Sequence, residues 1–125
     1  MSQKRPELPS GDDTVADWRP TRFEKSFSKD LFYRDGASVI LNRFDPGGNN
    51  FAHQHPYRQI RYILEGHMTV NGRTYGPGSI IDFPANTVYE VTCPEGGVWL
   101  VLQLKTEIGV LPPDRSGIEQ KQALA

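Results

Sequence analysis

The chain has 125 residues, a formal net charge of −1 and 37% hydrophobic residues. That is enough for one compact domain, too polar for a membrane-embedded protein and too apolar for a wholly disordered one. No apolar run reaches the roughly 18 residues that span a bilayer, and the scattered charges of both signs argue against nucleic acid or an anionic membrane surface as the main partner.

Residues 1–26 read as an irregular arm. Pro6, Pro9, Pro20 and Ser10-Gly11-Asp12-Asp13 punctuate it, and Leu8, Val15 and Trp18 are its few apolar residues. Met1 to Ser10 is polar, so no secretory signal is expected. Trp18 is expected to pack on its own barrel or to cross to a partner subunit. Residues 27–105 read as a barrel of about seven or eight short strands with no amphipathic helix between them. Ala37–Phe44 is a β-branched strand, and Asp45-Pro46-Gly47-Gly48-Asn49-Asn50 is expected to be a loop. Arg58–Leu64 alternates polar and apolar residues before the Glu65-Gly66 turn. His67–Val70 and Arg73–Tyr75 flank Asn71-Gly72, a strong hairpin signal. Ser79–Phe83, Thr87–Thr92 and the apolar Val98–Leu104 complete the set, separated by Pro84-Ala85-Asn86 and Pro94-Glu95-Gly96-Gly97. Residues 106–125 form a tail in which Ile118 to Ala125 is either a short helical turn or irregular.

The chemistry concentrates around His53 and His55. Residues two apart on a strand share a face, so both imidazoles are expected to project to one side. Continued alternation would add Tyr57, Gln59, Arg61 and Ile63 to that face and put Ile60, Tyr62 and Leu64 on the other. Two imidazoles with a third polar donor suit a divalent transition metal, although an HxH pair alone is more often solvated or hydrogen-bonded at a strand end. An inward Arg61 has two readings. One is a clamp for a carboxylate or enolate oxygen of a substrate; the other is a structural pair with Glu90, Asp82 or Glu65. Phe51, Met68, Ile81, Phe83, Val91, Trp99 and Val101 are expected to fill the barrel or shape its pocket. His67, Arg58 and Arg43 read as exposed, and Tyr57 either packs after Pro56 or lines the pocket rim. Cys93, the single cysteine, precludes an internal disulfide, points to the cytoplasm, and reads as a packed thiol.

The run Gly47, His53, His55, Gln59, Gly66 resembles the first motif of the cupin family, and Gly78-Ser79-Ile80-Ile81-Asp82-Phe83-Pro84-Ala85-Asn86-Thr87-Val88-Tyr89 resembles the second. The likeness runs from about Asp45 to Val91. It implies an all-β jelly-roll, the cupin double-stranded β-helix, with irregular terminal arms and a pocket inside one end. It departs from the family pattern in three places: Gln59 stands at the usual glutamate, Asn86 at the usual glycine and Tyr89 at the usual histidine. Small metal-binding cupins with glutamine at that position include bacterial hydroxynitrile lyases and a sugar-acid-processing group. A tyrosine does acid–base work in cupin sulfonium lyases.

The resemblance implies a divalent metal (Mn, Fe, Ni or Zn) on His53, His55, Gln59 and Tyr89, with Tyr89 and Arg61 as catalytic residues. The expected activity is metal-assisted proton transfer on a small oxygen-bearing molecule, lyase- or isomerase-like, or a dioxygenase step. The alternative is a metal-free cup that binds or senses a small ligand. The outward apolar residues Ile60, Tyr62 and Leu64 point to a homodimer.

Overall fold

The computed structural model describes residues 8–14 and 16–105; the expected tail at 106–125 and Val15 lie outside them. Strands β1 (Arg19–Pro20), β2 (Glu24–Arg34), β3 (Ala37–His53), β4 (Arg58–Gly66), β5 (Met68–Val70), β6 (Arg73–Tyr75), β7 (Ile80–Phe83), β8 (Tyr89–Cys93) and β9 (Gly97–Leu104) follow in chain order. They form one curled antiparallel sheet of nine strands, ordered β6-β5-β8-β3-β9-β4-β7, with β2 on β3 and β1 on β2. This is an all-β jelly-roll.

The expected loop at residues 45–50 is instead part of β3, which runs through it. The first half, Ala37–Phe44, pairs with β9 and β2, and the second half, from Gly48 on, pairs with β8. Asp45, Pro46 and Gly47 are the bend between the halves. The turn-forming residues were read correctly as a change of direction, but the strand survives the change and passes from one face of the barrel to the other. Gly48 has to be glycine there, because a Cβ would stand 2.5 Å from Phe44 Cδ2.

Strand β4 carries the alternation seen in the sequence. Gln59, Arg61 and Ile63 are buried, while Tyr62 and Leu64 are exposed. Its neighbours are β9, from Arg58↔Leu104 to Gly66↔Gly97, and β7, from Gln59↔Phe83 to Tyr62↔Ile80. The core contains Phe44, Ile63, Met68, Phe83, Tyr89, Val91, Cys93, Trp99 and Val101. Phe44 stacks on Trp99 at 5.4 Å between centroids, and Trp99 Nε1 donates to Asn42 Oδ1 at 3.0 Å. Phe51, expected inside, is 57% exposed. It lies just past the bend, where alternation counted from the first half of β3 no longer holds.

The arm folds back on its own barrel. Trp18 lies over the cations of Lys29 and Arg43, and Arg43 also covers the Phe27 ring. Arg58, expected to be solvated, makes a paired contact with Asp82 at 3.0 and 2.9 Å.

Candidate functional site

His53 closes β3 and His55 sits in the connection to β4. They do not share one strand, yet they meet: the Nε2 atoms are 3.1 Å apart and the rings stand edge to face at 4.7 Å. The bend of β3 and the connection through Pro56 do what simple alternation was expected to do. His53 Nδ1 faces the carbonyl of Phe51. A ring nitrogen on a carbonyl must carry the hydrogen, which leaves His53 Nε2 as a bare acceptor.

Both imidazoles are neutral at pH 7. Burial pushes His53 below its ordinary value, with Arg61 and Arg22 acting in the same direction and the Phe51 carbonyl opposing. Burial, then His53 and Arg61, brings His55 down to about 4. In the neutral state His55 Nε2–H satisfies His53 Nε2. Phe23 lies against His53 at 4.8 Å, Tyr89 at 4.6 Å, and Tyr57 stacks on His55 at 4.8 Å. Tyr57, for which the sequence left packing after Pro56 and the pocket rim as alternatives, packs on His55.

Deeper on β4, Arg61 donates to Gln59 Oε1 from Nε at 3.2 Å and from Nη2 at 2.8 Å. The same Nη2 donates to the Tyr89 hydroxyl at 2.9 Å. The Tyr89 hydroxyl hydrogen has only a long contact, 3.5 Å, to Gln59 Oε1. Gln59, Arg61 and Tyr89 are each no more than 4% exposed. Burial raises the Tyr89 phenol above its ordinary value despite the guanidinium beside it, so it stays protonated at neutral pH. The guanidinium lies 4.4 Å from the Phe83 ring centroid. No salt bridge reaches it among the described residues. Glu90, Asp82 and Glu65 are not its partners.

An open cavity of about 140 Å³ adjoins this cluster, lined among others by Asn50, His55, Gln59, Arg61, Val101 and Gln103. Thr21, Phe23 and Ser26, from the stretch read as arm, also line it. Asn50 was hidden from sequence reasoning by the expected loop; its signal was position, three residues before His53 on the strand that delivers the histidines.

Solved structures share this architecture. An RmlC-like cupin from Shewanella frigidimarina superposes with a TM-score of 0.69 at 17% identity, covering 83% of this chain and 100% of the other. The protein KdgF from a Halomonas species gives a TM-score of 0.69 at 21% identity, covering 81% and 98%. The chain has the cupin fold. The polyketide cyclase RemF from Streptomyces resistomycificus shares it too, with a TM-score of 0.66 at 19% identity, covering 99% and 100%. No protein-family model and no curated protein matches the chain.

In this cupin barrel Asn86 adopts φ +57°, the left-handed conformation natural to glycine, which accounts for asparagine at the family's glycine position. The side chains expected to ligate a metal divide into two groups. His53 and His55 fit: two nitrogens bound to one ion at about 2.0–2.1 Å stand about 3.0–3.4 Å apart, and a tautomer held by a carbonyl is how a ligating imidazole is oriented. Gln59 and Tyr89 do not fit. Their oxygens both accept from one cationic nitrogen, Arg61 Nη2, and are already engaged by it. No group of three or more His, Cys, Asp or Glu side chains is placed to hold a metal among the described residues. A divalent ion would face a buried guanidinium with no carboxylate to offset it. The set of four does not suit a metal.

Cys93 is fully buried and burial raises its thiol to about 12, so it is an inert packed thiol.

Proposed function

We propose that this protein is a small-molecule cup: a cupin barrel that takes a small oxygen-bearing organic ligand at Asn50, His55, Gln59 and Arg61, with Tyr89 and Tyr57 closing the site. The observation that supports it most is a cavity lined by deeply buried polar side chains. Buried polar groups around a concave space are costly unless a ligand or water completes them. The supporting experiment is a calorimetric and thermal-shift screen of small organic acids, alcohols and amides. Ser28 also lines the cavity; Ser28→Tyr, which narrows it without replacing a member of the polar cluster, should abolish the response and leave the fold intact. A ligand whose affinity Ser28→Tyr leaves unchanged binds elsewhere and refutes the reading.

One observation favours a second reading, a metal-dependent lyase, isomerase or dioxygenase: the His53–His55 geometry on its own. A metal held there would act as a Lewis acid toward an oxygen of the substrate. Elemental analysis of untagged protein, compared with His53→Ala, decides it. Near-stoichiometric Mn, Fe, Ni or Zn that vanishes in the variant would establish this reading.

The protein is further proposed to be a homodimer. Tyr62, Leu64 and Ile80 are 41%, 44% and 66% exposed, and Tyr62 and Ile80 are paired across β4 and β7. Because β7 is the last strand on its side of the sheet among the described residues, a second copy covering this face would bury apolar surface and that edge together. The lone thiol favours the cytoplasm.

A further inference from the structure

Three observations on the cup converge. First, the oxygens of Gln59 and Tyr89, expected to meet a metal, both meet Arg61 Nη2 at 2.8 and 2.9 Å. Second, the guanidinium is buried and, among the described residues, makes no salt bridge. The facing aromatic rings of Phe83 and Tyr89, at 4.4 and 5.4 Å, offset its charge only in part. Third, two buried polar atoms of cavity-lining residues have no hydrogen-bond partner among the described residues: Arg61 Nη1, a donor, and Asn50 Oδ1, an acceptor. Asn42, on the same wall, shows the contrast. It donates to the Phe27 carbonyl at 2.7 Å and accepts from Trp99.

We infer that the Arg61 guanidinium takes the place of the metal ion in this cup, and that the ligand is a small hydroxy-carboxylate. The inference rests on the cup reading and names its ligand class. A guanidinium is permanently charged, makes charge-assisted hydrogen bonds to carboxylate oxygens and cannot be stripped by chelators. With Nε and Nη2 committed to Gln59 and Tyr89, Nη1 is the donor left for a carboxylate oxygen. The carboxylate supplies the negative charge that the buried cation lacks, which an ordered water cannot do. Asn50 Oδ1 accepts only, so the matching ligand group is a donor, a hydroxyl. A void near 150 Å³ holds a molecule the size of benzene, so the ligand has about six heavy atoms. His55, which contacts His53 and stacks on Tyr57, lines the same cavity.

The test uses the full chain in excess EDTA, titrated with glycolate, D- and L-lactate, acetate and lactamide. Glycolate or lactate should raise the melting temperature saturably. Acetate, which lacks the hydroxyl, should bind at least tenfold more weakly, and lactamide, which lacks the charge, should not bind. Asn50→Asp should abolish the response by repulsion. Arg61→Lys keeps the charge but cannot hold Gln59 and Tyr89 while presenting a further fixed donor to the ligand, and should weaken lactate at least tenfold.

The second arm reads the metal directly. Arg61→Ala should bind Ni²⁺ or Zn²⁺ at least tenfold more tightly than the native chain, with His53→Ala reversing the gain; Arg61→Lys should show no gain. A lactate response that disappears in EDTA and returns with Mn²⁺ would overturn the inference while leaving the cup intact. Lactamide binding as well as lactate would overturn the ligand class. If no probe binds the native chain and Arg61→Ala gains no metal, the inference is wrong, and the cavity-blocking screen separately tells whether the cup reading falls with it.

Discussion

The inside of this barrel has two regions built on the same strands. At one end Ile63, Met68, Val91, Cys93 and Trp99 are fully buried and apolar. At the other, equally buried positions hold Gln59, Arg61, Asn50 and Tyr89. Strand β4 crosses from one region to the other on a single face: Gln59, Arg61, then Ile63. Its outer face carries Tyr62 and Leu64 in exposed positions. A strand selected for stability alone would do the reverse, apolar inside and charged outside. Under the proposed cup, the polar end gives up stability for recognition, and the apolar end holds the barrel together.

Replacing residues in each region should separate these roles. The largest effect belongs to the apolar end. Trp99→Ala should destabilise the fold by about 3–5 kcal/mol in chemical denaturation, from the cavity left beside Phe44 and the lost bond to Asn42. A cost below about 1 kcal/mol would mean that the core lies elsewhere.

The polar end should respond in the opposite sense. Arg61→Met combined with Gln59→Leu and Tyr89→Phe removes a buried cation and both its acceptors together. It should be neutral or stabilising by about 1–3 kcal/mol while abolishing ligand binding. Strong destabilisation would show that the guanidinium holds the barrel together.

A smaller effect should appear with pH. His55 is held at about 4 in the folded chain against 6.5 ordinarily. Between these values the unfolded chain takes up a proton that the folded chain does not, so stability falls as pH drops from 6.5 toward 4 and is flat above. His53, also lowered, adds with the same sign. The pair is only partly buried, so solvent weakens the effect; the melting temperature should be roughly 5 °C lower at pH 4.5 than at pH 7. The loss should be smaller in His55→Asn, and equal losses in the two proteins would contradict the assignment.

The smallest effect on stability is expected outside. Tyr62→Lys with Ile80→Lys should change monomer stability by less than about 0.5 kcal/mol yet convert a dimer to a monomer in light scattering. A native chain that already runs as a monomer would refute the dimer.

The local patterns legible in the sequence by itself were those that depend on neighbouring residues. Alternation along Arg58–Leu64 predicted which side chains of β4 turn inward, since successive residues of a strand face opposite ways. Turn residues marked the β5–β6 hairpin, and the resemblance to the two cupin motifs implied the jelly-roll, while Arg61 was placed inside by alternation alone. What the tertiary structure decided was whatever depends on two distant segments. The bend at Asp45-Pro46-Gly47 lets β3 serve both faces, which buries Asn50 and exposes Phe51. The choice of partner for Arg61 lay between carboxylates named by sequence proximity and the amide and phenol that the closed barrel brings to it. No local pattern expresses that choice, because Gln59 and Tyr89 come together only when β4 and β8 meet across the interior.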